Sequence, residues 1–172
     1  MATTTDPVAE LDARYSADRA TSPAWPEVRD DLHNAELFWV TTVRPDGRPH
    51  VTPTIAIGVG NALYFSTGPD EQKAKNLSGS PHCILMTGCN ALREGMDLVV
   101  EGDAMRVRDD AMLQRIADAY VSKYGDEWRF EVRDGAFHHD PGEAWVFEVA
   151  PATAYAFGKG EYSHTRWRFG RT

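Results

Sequence analysis

The chain has 172 residues, 42% of them apolar and 26% charged, with a formal net charge of −8 at pH 7. That length and balance suit a single globular domain with its own core, and the acidic surplus argues against nucleic acid or an anionic membrane as partner, since both select basic surfaces. No apolar run approaches the roughly 20 residues needed to span a bilayer, and no basic, then apolar, leader opens the chain. The sequence therefore reads as cytoplasmic.

Residues 1–20 mix Thr, Asp, Ala and Arg with little periodicity and are expected as a flexible lead-in to one domain over residues 21–172. From Ser22 the signals change. A serine able to cap, prolines permitted in a first turn, and Trp25, Val28, Leu32 and Ala35 at helical spacing predict a helix over one end of a barrel. Then come an apolar run (residues 37–43), the turn Arg44-Pro45-Asp46-Gly47, a β-rich run (50–57), the turn Gly58-Val59-Gly60-Asn61 and a third run (62–66). These read as a meander of antiparallel hairpins. Pro53 inside the second run marks an edge or a bulge.

After Ser66-Thr67-Gly68-Pro69 a short helix is expected over residues 71–78, then a strand over 82–87 and a long strand over 98–108, bent at Gly102. Asp109-Asp110 open a long helix whose stripe of Met112, Leu113, Ile116, Ala117, Tyr120 and Tyr124 is a packing face, ended by Gly125. Residues 126–142 are polar and broken by glycines, which predicts a long loop. Two closing strands follow, over 144–149 and 154–157, separated by Pro151. Helices inserted among six to eight antiparallel strands give an α+β, mainly antiparallel β fold built on a barrel rather than a doubly wound sheet.

The candidate sites are few. Cys83 and Cys89 are spaced for neither a CxxC metal pair nor a disulfide framework, so reduced thiols are expected, at least one of them buried. Gly58-x-Gly60 and Gly158-x-Gly160 lack the context of a dinucleotide fingerprint and read as turns. His138-His139-Asp140 reads as an exposed loop rather than a metal site, and no nucleophile-base set or carboxylate pair announces hydrolysis. In the second run Val51, Pro53, Ile55 and Ile57 are expected toward the core. His50, Thr52, Thr54 and Ala56 then form a small polar face, either solvated or a shelf for a flat ring. Lys73 and Lys75, directly after a strand ending in Ser-Thr-Gly, are either a solvated face or a phosphate site. Trp167, between Arg166 and Arg168, is expected to pack on a partner or a ring.

Taken together, the runs VTTVRPDGRPHVTP, LYFSTGPDEQKAKNLSGSP, LVVEGDAMRV and TRWRF resemble the pyridoxamine 5'-phosphate oxidase-like split-barrel family, nearest its flavin/deazaflavin oxidoreductase branch. The resemblance covers residues 24–169. It implies a six-stranded split β-barrel with peripheral helices and a homodimer with cofactor sites at the subunit interface, holding FMN or the deazaflavin F420. Carried over by position, His50, Val51, Thr52, Pro53 and Thr54 would meet the ring's pyrimidine edge, followed by the strand end Tyr64, Phe65, Ser66 and Thr67. Lys73, Asn76 and Leu77 would form the phosphate-binding set, with Lys75 as a second cation and Trp167 looking across the interface. Where many F420-binding relatives carry an arginine before the lysine, this chain has Glu71 and Gln72. Arg166 and Arg168 match the substrate motif of true pyridoxamine phosphate oxidases only loosely.

The expected function is hydride transfer between a flavin and a small conjugated substrate, which needs no acid-base constellation because the chemistry is the cofactor's. Two alternatives stay open. One is haem binding or degradation, with His50, His82 or His164 as axial ligand; the other is flavin binding without turnover.

Overall fold

Strand-forming residues in period-two alternation build most of the chain. A computed structural model describes residues 7–139 and 142–170. In chain order these form β1 (Ala9–Leu11), a 3-10 turn (Ala13–Tyr15), α1 (Trp25–Asn34), β2 (Phe38–Val43), β3 (Pro49–Thr54), β4 (Ile57–Val59), β5 (Ala62–Thr67) and α2 (Gln72–Gly79). Then follow β6 (His82–Thr87), β7 (Met96–Val107), α3 (Asp110–Tyr124), a second 3-10 turn (Asp126–Trp128), β8 (Glu131–Arg133), β9 (Ala136–His139), β10 (Gly142–Gly158) and β11 (Ser163–Arg168).

All pairings are antiparallel. β2 lies between β3 and β6, β6 pairs β7, β7 pairs β10, β10 pairs β5, and β5 pairs β4. β3 runs on into β4 through only Ile55 and Ala56, so this circuit of six strand units is closed by the chain itself rather than by ladder hydrogen bonds. That gap is the split of a split barrel. Phe38, Val40, Phe65, Leu85, Val100 and Phe147 fill the interior, and α1 seats Trp25, Val28 and Leu32 on it. A second core lies under α3, where Leu113, Ile116, Ala117 and Tyr120 meet Ile57, Tyr64, Phe137 and Val146.

α3 also closes the split chemically. The Tyr124 hydroxyl accepts from the Ala56 N–H at 3.2 Å and stands 2.8 Å from the Ala56 carbonyl, to which Lys123 Nζ donates at 2.9 Å. The Tyr120 hydroxyl lies 3.5 Å from the Ile55 carbonyl. Backbone groups that lost their strand partner are thus satisfied by three side chains from the last turns of one helix, as buried polar groups must be. Half-burial pushes the Lys123 ammonium down to about 8.

Several expectations are corrected. Residues 9–11 are not loose: β1 pairs β11, Ala9 opposite Trp167. The two closing strands are one, β10, because Pro151 is absorbed by a register shift between Pro151 and Thr153 where β10 pairs β7. The loop over residues 126–142 contains the β8–β9 hairpin, whose Asp134-Gly135 turn holds φ of 55° and 71°, the left-handed pair that favours Asp-Gly. Ala24, not Ser22, is the N-cap of α1, with Glu27 Oε2 accepting from the Ala24 N–H at 3.3 Å. The Ser22 hydroxyl instead meets Thr165 Oγ1 at 3.4 Å. Among the described residues no helix is long and apolar enough to cross a membrane.

The faces of β3 are also reversed from expectation. Val51 and Pro53 are exposed, while His50, Thr52 and Thr54 are half-buried. The cause is register: Thr54, Thr52 and His50 stand opposite Phe38, Val40 and Thr42 of β2, and cross-strand partners share a face. β2 buries Phe38, Val40 and Thr42, so β3 must turn the small polar residues opposite them inward. The phase then changes at the split, where Ala56 and Ile57 are both buried.

Candidate functional site

The inward face of β3 ends beside α2, and there the polar residues converge. Asn76, buried on α2, donates from Nδ2 to Thr42 Oγ1 at 2.9 Å and accepts from Gln72 Nε2 at 2.8 Å. Beside that network, His50 Nδ1 and Thr52 Oγ1 are buried without a hydrogen-bond partner among the described residues. An unmet buried polar atom costs about 1–3 kcal/mol, and here two occur on neighbouring inward positions of an edge strand. His50 is held below the usual histidine range by burial and by the Arg44 and Lys73 cations, so its imidazole is neutral near neutral pH.

The end of β5 and the loop into α2 form the second half of the site. Thr67 is buried and Ser66 half-buried. Lys73, only 8% exposed, is ion-paired with Glu71, whose other oxygen accepts from the Gly68 N–H at 2.8 Å. Burial alone would raise the Glu71 carboxyl, but the Lys73 and Gly68 donors outweigh it and leave it below the usual carboxylate range. Backbone N–H, ammonium and helix start surround this position as they would an anion.

On the outer side of the loop, Trp145 lies opposite Thr67 and donates from Nε1 to Glu143 Oε1 at 2.6 Å. The Arg106 guanidinium sits 3.9 Å from the Trp145 ring centroid, and its Nε is buried without a hydrogen-bond partner among the described residues. Arg106, Arg108, Trp145 and Leu77 line a depression of about 430 Å³ between α2 and the β7–β10 pair. Nothing in the sequence pointed to Thr42, Arg106 or Trp145 as site neighbours, because strand register and not chain proximity brings them there.

The expected residues therefore divide. His50, Thr52 and Thr54 share the inward face of β3, with Ser66, Thr67, Lys73 and Asn76 on the adjoining β5 end and α2. Val51 and Pro53 face outward. Tyr64 and Phe65 are packing residues: Tyr64 belongs to the core under α3, with its phenol pushed up to about 12 by burial, and Phe65 stacks on Phe147 at 5.7 Å inside the barrel. Leu77 is core as well. Lys75 is exposed, because two residues along a helix turn it about 200° from Lys73. Trp167 is fully buried against Trp25, 5.7 Å between ring centroids. Strand alternation turns Trp167 inward and Arg166 and Arg168 outward onto Glu10, so Trp167 covers the chain's own core.

Among the histidines, His82 is exposed and pairs with Asp103 at 2.8 Å, while His164 stacks on Tyr15 at 5.5 Å. No group of three potential metal ligands occurs among the described residues, and Asp140 lies outside them. Cys83 is buried and Cys89 exposed, both free.

The family model for pyridoxamine 5'-phosphate oxidase matches residues 24–158. The chain belongs to the pyridoxamine 5'-phosphate oxidase family. Solved structures share the family fold over most of their length. One is a candidate 5-nitroimidazole antibiotic resistance protein of Bacteroides thetaiotaomicron, 14% identical over 92% of this chain and 90% of that one, TM-score 0.65. The haem storage protein HutZ of Vibrio cholerae is 18% identical over 80% and 95%, TM-score 0.61. An F420 reductase is 20% identical over 77% and 98%, TM-score 0.54. At such identities the likeness is one of fold. No curated protein matches the chain.

Proposed function

We propose that this family member is a flavin-dependent oxidoreductase that binds FMN, with F420 as the alternative, and exchanges hydride with a small conjugated substrate. The observation that carries the reading is the pair of unpartnered buried atoms, His50 Nδ1 and Thr52 Oγ1, beside the buried ammonium of Lys73. A flavin presents both things such a site lacks, a hydrogen-bonding ring edge and a phosphate. When bound, the flavin supplies the hydride chemistry. His50, Thr52 and Thr54 orient and polarise the ring edge, and Ser66, Thr67, the Gly68 N–H and Lys73 hold the phosphate. Asn76, through Thr42 and Gln72, keeps α2 registered against β2 so that these two halves stay aligned.

The working form in this proposal is a homodimer. Its support is the outer face of β3, β2 and β6, where Val51, Pro53, Trp39 and Met86 are exposed side by side in register. An exposed apolar band of this kind marks an interaction surface. The two free thiols agree with a reducing compartment, the cytoplasm.

The test is an absorption spectrum of protein purified from its native host, followed by titration of the stripped protein with FMN and with F420. Saturable FMN binding, weakened about 10- to 100-fold in Lys73→Ala, is expected, because a charge-assisted hydrogen bond contributes about 1.5–3 kcal/mol. A Soret band, or no affinity for either cofactor, contradicts the proposal.

A further inference from the structure

Glu71 stands where the anion of the proposed cofactor would sit. Its residue is the N-cap of α2, yet its carboxylate does not cap that helix. It turns back, accepting from the Gly68 N–H at 2.8 Å with one oxygen and from the Lys73 ammonium with the other. A Cβ added at Gly68 would lie 3.4 Å from that first oxygen, an ordinary contact distance, so the carboxylate rests against the loop at Gly68. Lys73 is nearly buried, whereas the Glu71 side chain is 52% exposed. The cation is fixed, and its counter-anion sits on a flexible arm that opens to solvent.

We infer that Glu71 is a built-in counter-anion of the phosphate position, which a phosphate-bearing ligand must displace before Lys73 can bind it. This rests on the flavin reading for the identity of the ligand, but the displacement itself requires only an anion. Two physical terms oppose entry of a phosphate: loss of the Glu71–Lys73 pair, and repulsion between the displaced carboxylate and the incoming dianion. The gain from Glu71 falls on the empty protein, since a buried ammonium without a counter-charge is costly. Glu71 therefore sets the phosphate contribution to affinity, and it discriminates between ligands that differ only in that group.

The experiment compares wild type with Glu71→Gln, and with Glu71→Ser as a second variant. Each is titrated with FMN and with riboflavin by flavin fluorescence, and each is melted with and without millimolar inorganic phosphate. Both variants are expected to bind FMN at least tenfold more tightly than wild type, to bind riboflavin unchanged, and to gain a phosphate-dependent rise in Tm that wild type lacks. Adding Lys73→Ala to either variant is expected to abolish those gains. FMN affinity and phosphate response equal to or below wild type in both folded variants overturn the inference. If no flavin binds any of these proteins while the variants still gain the phosphate response, the flavin reading fails and the role of Glu71 stands.

Discussion

The β3–β4 unit carries a break in its ladder and, a few residues before it, a pair of unmet polar side chains, and the molecule treats them differently. At Ile55–Ala56, where the ladder breaks, Tyr120, Lys123 and Tyr124 reach from α3 to the freed backbone groups. At His50 and Thr52, on the same strand unit, two buried polar atoms are left without partners among the described residues. The fold can satisfy a break when it needs only integrity there. The contrast separates polar groups that hold the barrel from polar groups that the proposed flavin would meet.

The strongest way to break this contrast is Tyr124→Phe. It strips the Ala56 N–H and carbonyl of their hydroxyl partner, and a loss of about 1–3 kcal/mol is expected in denaturant unfolding. FMN affinity should fall little by comparison. An equal loss of affinity and stability would mean that the split and the β3 site are one unit.

Thr52→Val sharpens the contrast from the other side. Replacing an unpaired buried hydroxyl by a methyl of similar size removes an unmet polar group, so the stability of the free protein is expected to hold or to rise by up to about 1 kcal/mol. FMN affinity is expected to drop severalfold. A destabilised variant with unchanged affinity would place Thr52 with the structural group.

The smallest effect is one of pH. Lys123 has a folded-state value of about 8, below the roughly 10.4 of an exposed lysine. Between those values the unfolded chain holds a proton that the folded chain has lost, so this site's contribution to stability rises with pH. Below about pH 8 both states are charged and the contribution is flat. The Tm of wild type relative to Lys123→Met is therefore expected to climb from pH 8 to 9.5, by less than about 1 kcal/mol equivalent because the ammonium is half solvated. A flat difference would show Lys123 to be an ordinary surface cation.

Much of the scaffold was legible in the chain. β6 and α3 fell where alternation and capping put them, with Asp109 Oδ1 accepting from the Met112 N–H at 2.8 Å and Gly125 at a φ of 97°. Pro53 marked an edge or a bulge, and among the described residues β3 has only β2 beside it. Less legible was which way β3 faces. Val51 looks like a core residue in isolation, and only the pairing of its neighbours Thr52 and Thr54 with Val40 and Phe38 decides otherwise. The same limit applied to Trp167: its strict alternation with Arg166 and Arg168 already encoded an inward ring, but the packing of Trp25 of α1 against that ring is a long-range contact. Lys73 could be picked from its place after β5, and Glu71 lies only two residues before it, whereas Arg106 and Trp145 nearby depend on tertiary placement.

The most direct test of the central claim follows the imidazole resonances of histidine-labelled protein during titration with FMN. His50 is predicted to shift and saturate at one flavin per chain, while His33, packed on Gly58 beyond the split, does not move. An unmoved His50 at saturating FMN would contradict the assignment of the inward face of β3 to the cofactor.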